Sequence, residues 1–213
     1  MGLQHYFSRD EDKRAKFVFN LIAPVYGLID KAIGKEYKKV AKIINAEIPL
    51  QNKSILDVGT GTGSWLVALH SHRPSRAIGI DFSEKMLRQA KQNHPQLGFQ
   101  LTDGENLNCF SDSSFDIVTA SFVLHGMKKD KRILLLKEMK RVSKKYVIIH
   151  DFYGKTHFII KILEFFERSD YINFKKNFRK ELESIFEETR IIGLKSGNAV
   201  FVGENGNAST SSA

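Results

Sequence analysis

The chain has 213 residues, 42% of them hydrophobic and 27% charged, and 33 lysines and arginines against 24 acidic residues give it a formal charge of +9. That length suits one α/β domain with a sizeable core, and no stretch approaches the roughly 20 apolar residues that cross a bilayer. A single cysteine, Cys109, excludes a disulfide framework and a Cys-cluster zinc site.

The opening run Met1-Gly2-Leu3-Gln4-His5-Tyr6-Phe7-Ser8 lacks the apolar centre of a signal peptide, so a cytoplasmic protein is expected. Residues 1–48 read as an N-terminal helical cap, helical from about Asp10 to Ile48 with a break at Pro24. Tyr26 stands beside that Pro/Gly break, where its polar tip could lie over a ligand pocket or simply pack a helix corner.

From residue 49 the chain reads as a ligand-binding domain. A short apolar run, Ile55, Leu56 and Val58, carries Asp57 and then breaks into Gly59-Thr60-Gly61-Thr62-Gly63. The apolar face of Trp65, Leu66, Ala68 and Leu69 follows. A buried strand, a glycine-rich turn and a helix form the entry half of a βαβ nucleotide-binding unit. Glycine suits such a turn because it reaches positive φ and lets a ligand approach the backbone closely. The third glycine comes one residue earlier than in the dinucleotide fingerprint G-x-G-x-x-G, and no Gly-Lys-Ser/Thr follows as a phosphate-binding P-loop requires. Asp57 would repel a pyrophosphate and attract a cation. S-adenosylmethionine, which carries a sulfonium and an ammonium, therefore fits the loop better than a dinucleotide.

The second strand, Arg76 to Asp81, leads through Phe82 and Ser83, a plausible helix N-cap, into a helix ending near Asn93. Asp81 falls about 20 residues beyond the glycine loop at a strand's carboxyl end, where an acidic group accepts hydrogen bonds from ribose hydroxyls. A third strand, Gly98 to Thr102, precedes Asp103-Gly104; Asp103 can accept from an adenine amine, although Asp-Gly also forms turns. A fourth strand, Phe115 to Ala120, ends in Ser121-Phe122-Val123-Leu124-His125, and a fifth, Lys145 to Asp151, contains His150.

Between those two strands, Lys128 to Lys145 alternates basic residues with Ile133, Leu134, Leu135, Leu136 and Met139. It predicts an amphipathic helix with a basic outer face, suited to solvent, RNA or an anionic membrane surface. Residues 155–170 read as an apolar helix, expected to be either a lid over an apolar substrate or a helix docked on the core. Tyr171 to Thr189 predicts another helix, residues 190–203 a closing β-hairpin, and residues 204–213 a flexible tail.

Strands alternating with helices through five units are the signature of a parallel, doubly wound sheet. The expected fold is a Rossmann-like seven-stranded sheet, five parallel strands plus a C-terminal antiparallel hairpin, with helices on both faces. Ligands of such sheets lie outside the carboxyl ends of the strands. Polar residues collect at those ends here: Asp57, Asp81, Asp103, Ser121 with His125, and His150 with Asp151.

Over about residues 15 to 203 the chain resembles the class I S-adenosylmethionine-dependent methyltransferases. Leu56 to Gly63 is similar to that family's first motif and Gly79-Ile80-Asp81-Phe82-Ser83 to its second. Thr102-Asp103-Gly104-Glu105 and Phe115-Asp116-Ile117-Val118 occupy the places of later motifs. Within the family it looks most like the ubiquinone/menaquinone biosynthesis C-methyltransferases, on Ala23 to Asp30, Leu124-His125 and Lys195 to Ala199. It departs from them at Tyr26-Gly27, where Tyr-Asp is usual, and between His150 and Tyr171.

The resemblance implies methyl transfer from S-adenosylmethionine, leaving S-adenosylhomocysteine, to a small apolar or aromatic, quinone-like acceptor. Asp57 with the Gly59, Thr60, Gly61 and Gly63 backbone would hold the methionine end and Asp81 the ribose. Asp103 with Gly104 would meet the adenine, and Phe82 and Ser121 join the set by position. A phenolic or enolic acceptor needs a base, for which His125, His150 and Tyr26 are the candidates. No His/Glu/Asp cluster has metal-ligand spacing, so a metal-independent reaction is expected. An RNA methyltransferase using the basic helix, a nicotinamide-dependent oxidoreductase and a non-catalytic cofactor-binding module are the other readings. The sequence leaves the oligomeric state open.

Overall fold

The structure, a computed structural model, describes residues 33–102, 106–154, 170–194 and 197–206. Tyr26, Asp103 and Gly104, the cap before residue 33, the lid segment 155–169 and the tail from residue 207 lie outside the described residues. The chain divides into two compact units, residues 1–104 and 105–213.

In the first unit a helix through residues 33–47 (α1) precedes β1 (Ser54–Val58), α2 (Ser64–His70), β2 (Arg76–Asp81), α3 (Glu84–Asn93) and β3 (Gly98–Leu101). Apart from Asp57, β1 is apolar from Ile55 onward, and it is fully buried there rather than alternating, as expected of a parallel strand covered on both faces. It pairs in parallel with β2, placing Asp57 opposite Gly79, and β2 pairs in parallel with β3. The buried side chains of α1 and α2, among them Ile44, Trp65, Leu66 and Leu69, belong to the same core. Tyr37 meets Trp65 edge-on with ring centroids 5.3 Å apart. Ser83 caps α3 by accepting the Met86 N–H at 3.3 Å, which satisfies one donor that the first helical turn leaves open.

The second unit runs β4 (Phe115–Ser121), a 3₁₀ turn (Leu124–Gly126), α4 (Lys129–Val142), β5 (Ser143–Phe152), α5 (Tyr171–Glu183), β6 (Glu188–Gly193) and β7 (Asn198–Glu204). β4 and β5 pair in parallel, with Ser121 opposite His150. β7 runs antiparallel to both β5 and β6. The sheet has seven strands in the order β3-β2-β1-β4-β5-β7-β6, the mixed Rossmann-like arrangement expected. Beyond β7 the chain is still fastened: Asn205 donates to the backbone carbonyls of Lys140 and Ser143 at 3.0 and 2.8 Å.

The basic helix needs correction. α4 ends at Val142, and Ser143 opens β5. Nor do all of its cations face outward. Arg132 is completely buried beside Leu135, Leu136, Met139 and Val142 on the apolar stripe. Its Nε and Nη2 donate to the two carboxylate oxygens of Glu181 at 2.6 and 2.9 Å, and its Nη1 approaches Asp170 at 3.4 Å. A guanidinium so deep in a core survives only because carboxylates and carbonyls take up its donors. Arg141 likewise donates to Glu138 and Asp112, at 2.8 and 2.7 Å. No helix among the described residues is long and apolar enough to cross a membrane.

Candidate functional site

In the first unit, β1 delivers the chain into Gly59-Thr60-Gly61-Thr62-Gly63, and all three glycines adopt positive φ, at 70°, 55° and 89°. Residues with a Cβ rarely hold that conformation. At Gly63 a Cβ would also come within 2.9 Å of the Phe99 ring. The Thr60 N–H donates to the Ile80 carbonyl at 2.9 Å, folding the loop back over β2. The Thr60 side chain then lies over Gly79, where a Cβ would stand 2.6 Å from its hydroxyl. Gly79 is thus part of the loop's construction.

Asp81 locks this arrangement. One carboxylate oxygen accepts the Gly61 N–H at 2.9 Å and the other the Ser83 N–H at 2.8 Å. Burial pushes this carboxyl above its ordinary range, and the backbone donors of Ser83, Gly61 and Phe82 oppose that rise.

Asp57 is different. It is 1% exposed, yet among the described residues neither carboxylate oxygen has a hydrogen-bond partner, nor does the Thr60 hydroxyl. Burial pushes the Asp57 carboxyl up to about 8, with the nearby Thr60 hydroxyl offsetting part of the rise and the negative Asp81 adding to it. A buried carboxyl with no donor is costly unless a partner arrives. The complement such a group requires is a cation or a strong hydrogen-bond donor.

The second unit carries two histidines at its parallel strand ends. The Ser121 hydroxyl and His150 Nδ1 are 3.0 Å apart. His125, on the 3₁₀ turn after β4, is 8% exposed, and its Nδ1 lies 2.8 Å from Asp151 Oδ1. The second oxygen of Asp151 accepts the Leu124 and His125 N–H groups at 3.2 and 3.3 Å. Asp151 therefore holds both the turn and the ring that the turn presents.

Aromatic rings surround this pair. Phe122 packs against His150 and Phe152, with centroids 4.7 and 5.0 Å away. Phe152 in turn meets His125 at 4.7 Å and Tyr171 at 5.1 Å. Phe122 itself has φ of 53°, a strained conformation for a bulky residue and one that gathers at functional sites.

The structure thus places Asp57, Gly59, Thr60, Gly61, Gly63, Asp81 and Phe82 around one loop of the first unit, and Ser121, His125 and His150 in one cluster of the second. Asp103, Gly104 and Tyr26 lie outside the described residues. Sequence reasoning did not pair Asp151 with His125, since nothing local links positions separated by a whole helix. It also overlooked the packing role of Gly79, which a glycine inside a strand can signal. Among the described residues no group of three His, Cys, Asp or Glu could hold a metal.

Residues 55–146 match the model of a family described as a methyltransferase domain. Among curated proteins, the demethylmenaquinone methyltransferase of Staphylococcus epidermidis is 38% identical over 133 residues, 60% of this chain and 54% of that protein. The phosphatidylethanolamine N-methyltransferase of Cereibacter sphaeroides is 31% identical over 136 residues, 60% of this chain and 64% of that protein. The chain spans about half the length of the demethylmenaquinone methyltransferase that it matches. Among solved structures, the magnesium protoporphyrin IX methyltransferase of Synechocystis with bound S-adenosylmethionine superposes with a TM-score of 0.69 at 17% identity. That alignment covers 94% of this chain and 99% of the other. The chain shares the fold of that methyltransferase.

Proposed function

We propose that this chain, which carries a methyltransferase domain over residues 55–146, transfers a methyl group from S-adenosylmethionine to a small apolar or aromatic acceptor. The observation that carries this reading is Asp57, a buried carboxyl with both oxygens unpartnered among the described residues, beside the unpartnered Thr60 hydroxyl and the glycine loop. A ligand with an ammonium, a sulfonium and hydroxyl donors supplies what that site lacks. Asp57 and the Gly59 to Gly63 backbone hold the methionine end, and Asp81 takes the ribose hydroxyls on its remaining lone pairs. Asp103 and Gly104 meet the adenine, with Phe82 beside the cofactor. The cofactor supplies an electrophilic methyl group, so the chain's own task is to align the acceptor and exclude water.

The acceptor reading rests on the rings of Phe122, Phe152 and Tyr171 around His125 and His150, a lining suited to a flat apolar molecule. Relatives named for demethylmenaquinone and for phosphatidylethanolamine point to a lipid-soluble acceptor, quinone-like by preference. The RNA reading loses force because Arg132 spends its donors on Glu181 in the core and Arg141 pairs with Glu138 and Asp112 of the same chain.

Calorimetric titration with S-adenosylmethionine, beside NADH and the Asp81→Ala variant, tests the cofactor. Saturable binding in the micromolar range, weakened in the variant, is the expected result. Absence of binding, or preference for NADH, would refute the reading. Methyl transfer to a panel of hydroxylated aromatics and quinols, with no transfer to RNA, tests the acceptor class.

A further inference from the structure

His150 and His125 have different hydrogen-bond neighbours: His150 Nδ1 faces the Ser121 hydroxyl at 3.0 Å and His125 faces the Asp151 carboxylate. His125 Nδ1 lies 2.8 Å from Asp151 Oδ1, while the other Asp151 oxygen is occupied by the backbone donors of Leu124 and His125. Oδ1 also accepts the Phe152 N–H at 2.8 Å. Asp151 is completely buried and held by the backbone N–H groups of Leu124, His125 and Phe152, so its carboxylate is fixed in place. A carboxylate fixed against Nδ1 favours the imidazole tautomer with its proton on Nδ1, which leaves Nε2 as the basic nitrogen.

We propose that Asp151 is a positioning residue that keeps the His125 proton on Nδ1, making Nε2 the proton acceptor for a substrate whose attacking atom carries a hydrogen. The inference rests on the methyltransferase reading and narrows its acceptor to hydroxylated aromatics, enols and carbon acids. Nε2 takes the O–H or C–H proton. The electron pair left on the acceptor forms the new bond to the methyl carbon, while the carbon–sulfur bond breaks with its electrons to sulfur. The imidazolium then loses its proton to solvent. A neutral amine, which already offers a lone pair, needs no such group before attack.

Three further elements bring charged or titratable groups to the surroundings of the pair. From β5, His150 follows Phe122 around the aromatic cluster, and from α5 the Tyr171 ring stands 6.4 Å from His125. Lys175 lies over Tyr171, 5.1 Å from the ring centroid. From α4, Arg132 braces the same turn by donating to the carbonyls of Met127 and Leu124 at 2.6 and 3.5 Å. Its charge is matched by Glu181 and Asp170.

The test is long-range ¹H–¹⁵N correlation of the histidine side chains in the full-length ¹⁵N-labelled protein at pH 8, with His125→Gln to assign the signal. The wild-type His125 ring is expected to show the Nδ1–H tautomer in at least tenfold excess. Asp151→Asn places an amide donor against Nδ1 and should invert that ratio, while Asp151→Glu should preserve it. Methyl transfer should fall at least a hundredfold in Asp151→Asn, with affinity for S-adenosylmethionine within about twofold of wild type. A wild-type ring that is mainly Nε2–H, or doubly protonated at pH 8, overturns the proposal whether or not the variant folds. A folded Asp151→Asn variant with an unchanged tautomer does so too. If the tautomer is as expected but S-adenosylmethionine does not bind, the methyltransferase reading fails and the His125–Asp151 assignment stands.

Discussion

Asp81 holds the Gly61 N–H at 2.9 Å, joining the end of β2 to the middle of the glycine loop that follows β1. The same carboxylate accepts the Ser83 N–H at 2.8 Å and so sets the start of α3. The acid expected at the ribose is therefore also the brace of the loop, and its loss should show in two measurements at once. Asp81→Ala leaves buried backbone donors unsatisfied, at a cost of about 1–3 kcal/mol readable in the urea midpoint. Affinity for S-adenosylmethionine should drop at least tenfold by calorimetry. Weaker binding without destabilisation would mean that the brace is dispensable.

The raised Asp57 carboxyl makes the stability of the protein depend on pH. An aspartate in the unfolded chain ionises near 3.8, whereas in the folded protein it stays protonated to about 8. Between those values the folded state binds more protons than the unfolded state, so stability declines as pH rises and levels off above about 8. Asp57→Asn cannot ionise in either state. The variant should match the wild type near pH 4 and exceed it by roughly 1–3 kcal/mol at pH 8, while losing affinity for S-adenosylmethionine. A cationic ligand draws Asp57 into its ionised form, so binding below pH 8 should release protons. Calorimetry in buffers of differing ionisation enthalpy measures that release, and none would count against Asp57 as the cation's partner.

Much of this site was legible in the sequence because its signals are local. Three glycines at alternate positions after a buried strand specify a turn, and Asp81 sits at the strand end where parallel sheets bind ligands. The basic run from Lys128 misleads because its cations do not all lie on the outer face. Arg132 stands one helical turn before Leu135 and Leu136 and two before Met139, so the spacing placed it on the buried stripe. Its partners, Asp170 and Glu181, come from another helix and leave no trace near it in sequence. The same distance hid the pairing of His125 with Asp151, which only the parallel register of β4 and β5 brings about.

Phe122 offers a test of strain independent of catalysis. Its φ of 53° suits glycine, yet the ring is held by His150 and Phe152. Phe122→Ala removes the ring and keeps the strain; Phe122→Gly removes both. The glycine variant should therefore be the more stable of the two by about 1 kcal/mol, despite the greater entropy of its unfolded chain. Denaturant unfolding of the pair decides this, and an alanine variant that is equally stable would show that the turn relaxes once the ring is gone.

Arg132 should be costly to replace, because it is completely buried. Its guanidinium grips Glu181 with two nitrogens, and its Nη1 donates to the Met127 carbonyl at 2.6 Å. Arg132→Ala leaves Glu181, itself 5% exposed, as an uncompensated buried charge, for a loss of about 3–5 kcal/mol. Lysine restores the charge but not the fork that matches a carboxylate, so Arg132→Lys should recover less than half of that loss. Removing both partners, as Arg132→Leu with Glu181→Leu, exchanges the ion pair for apolar contact and should be far milder than either single change. A double-mutant cycle in urea measures the coupling, and additive losses would show that the two side chains are stabilised separately.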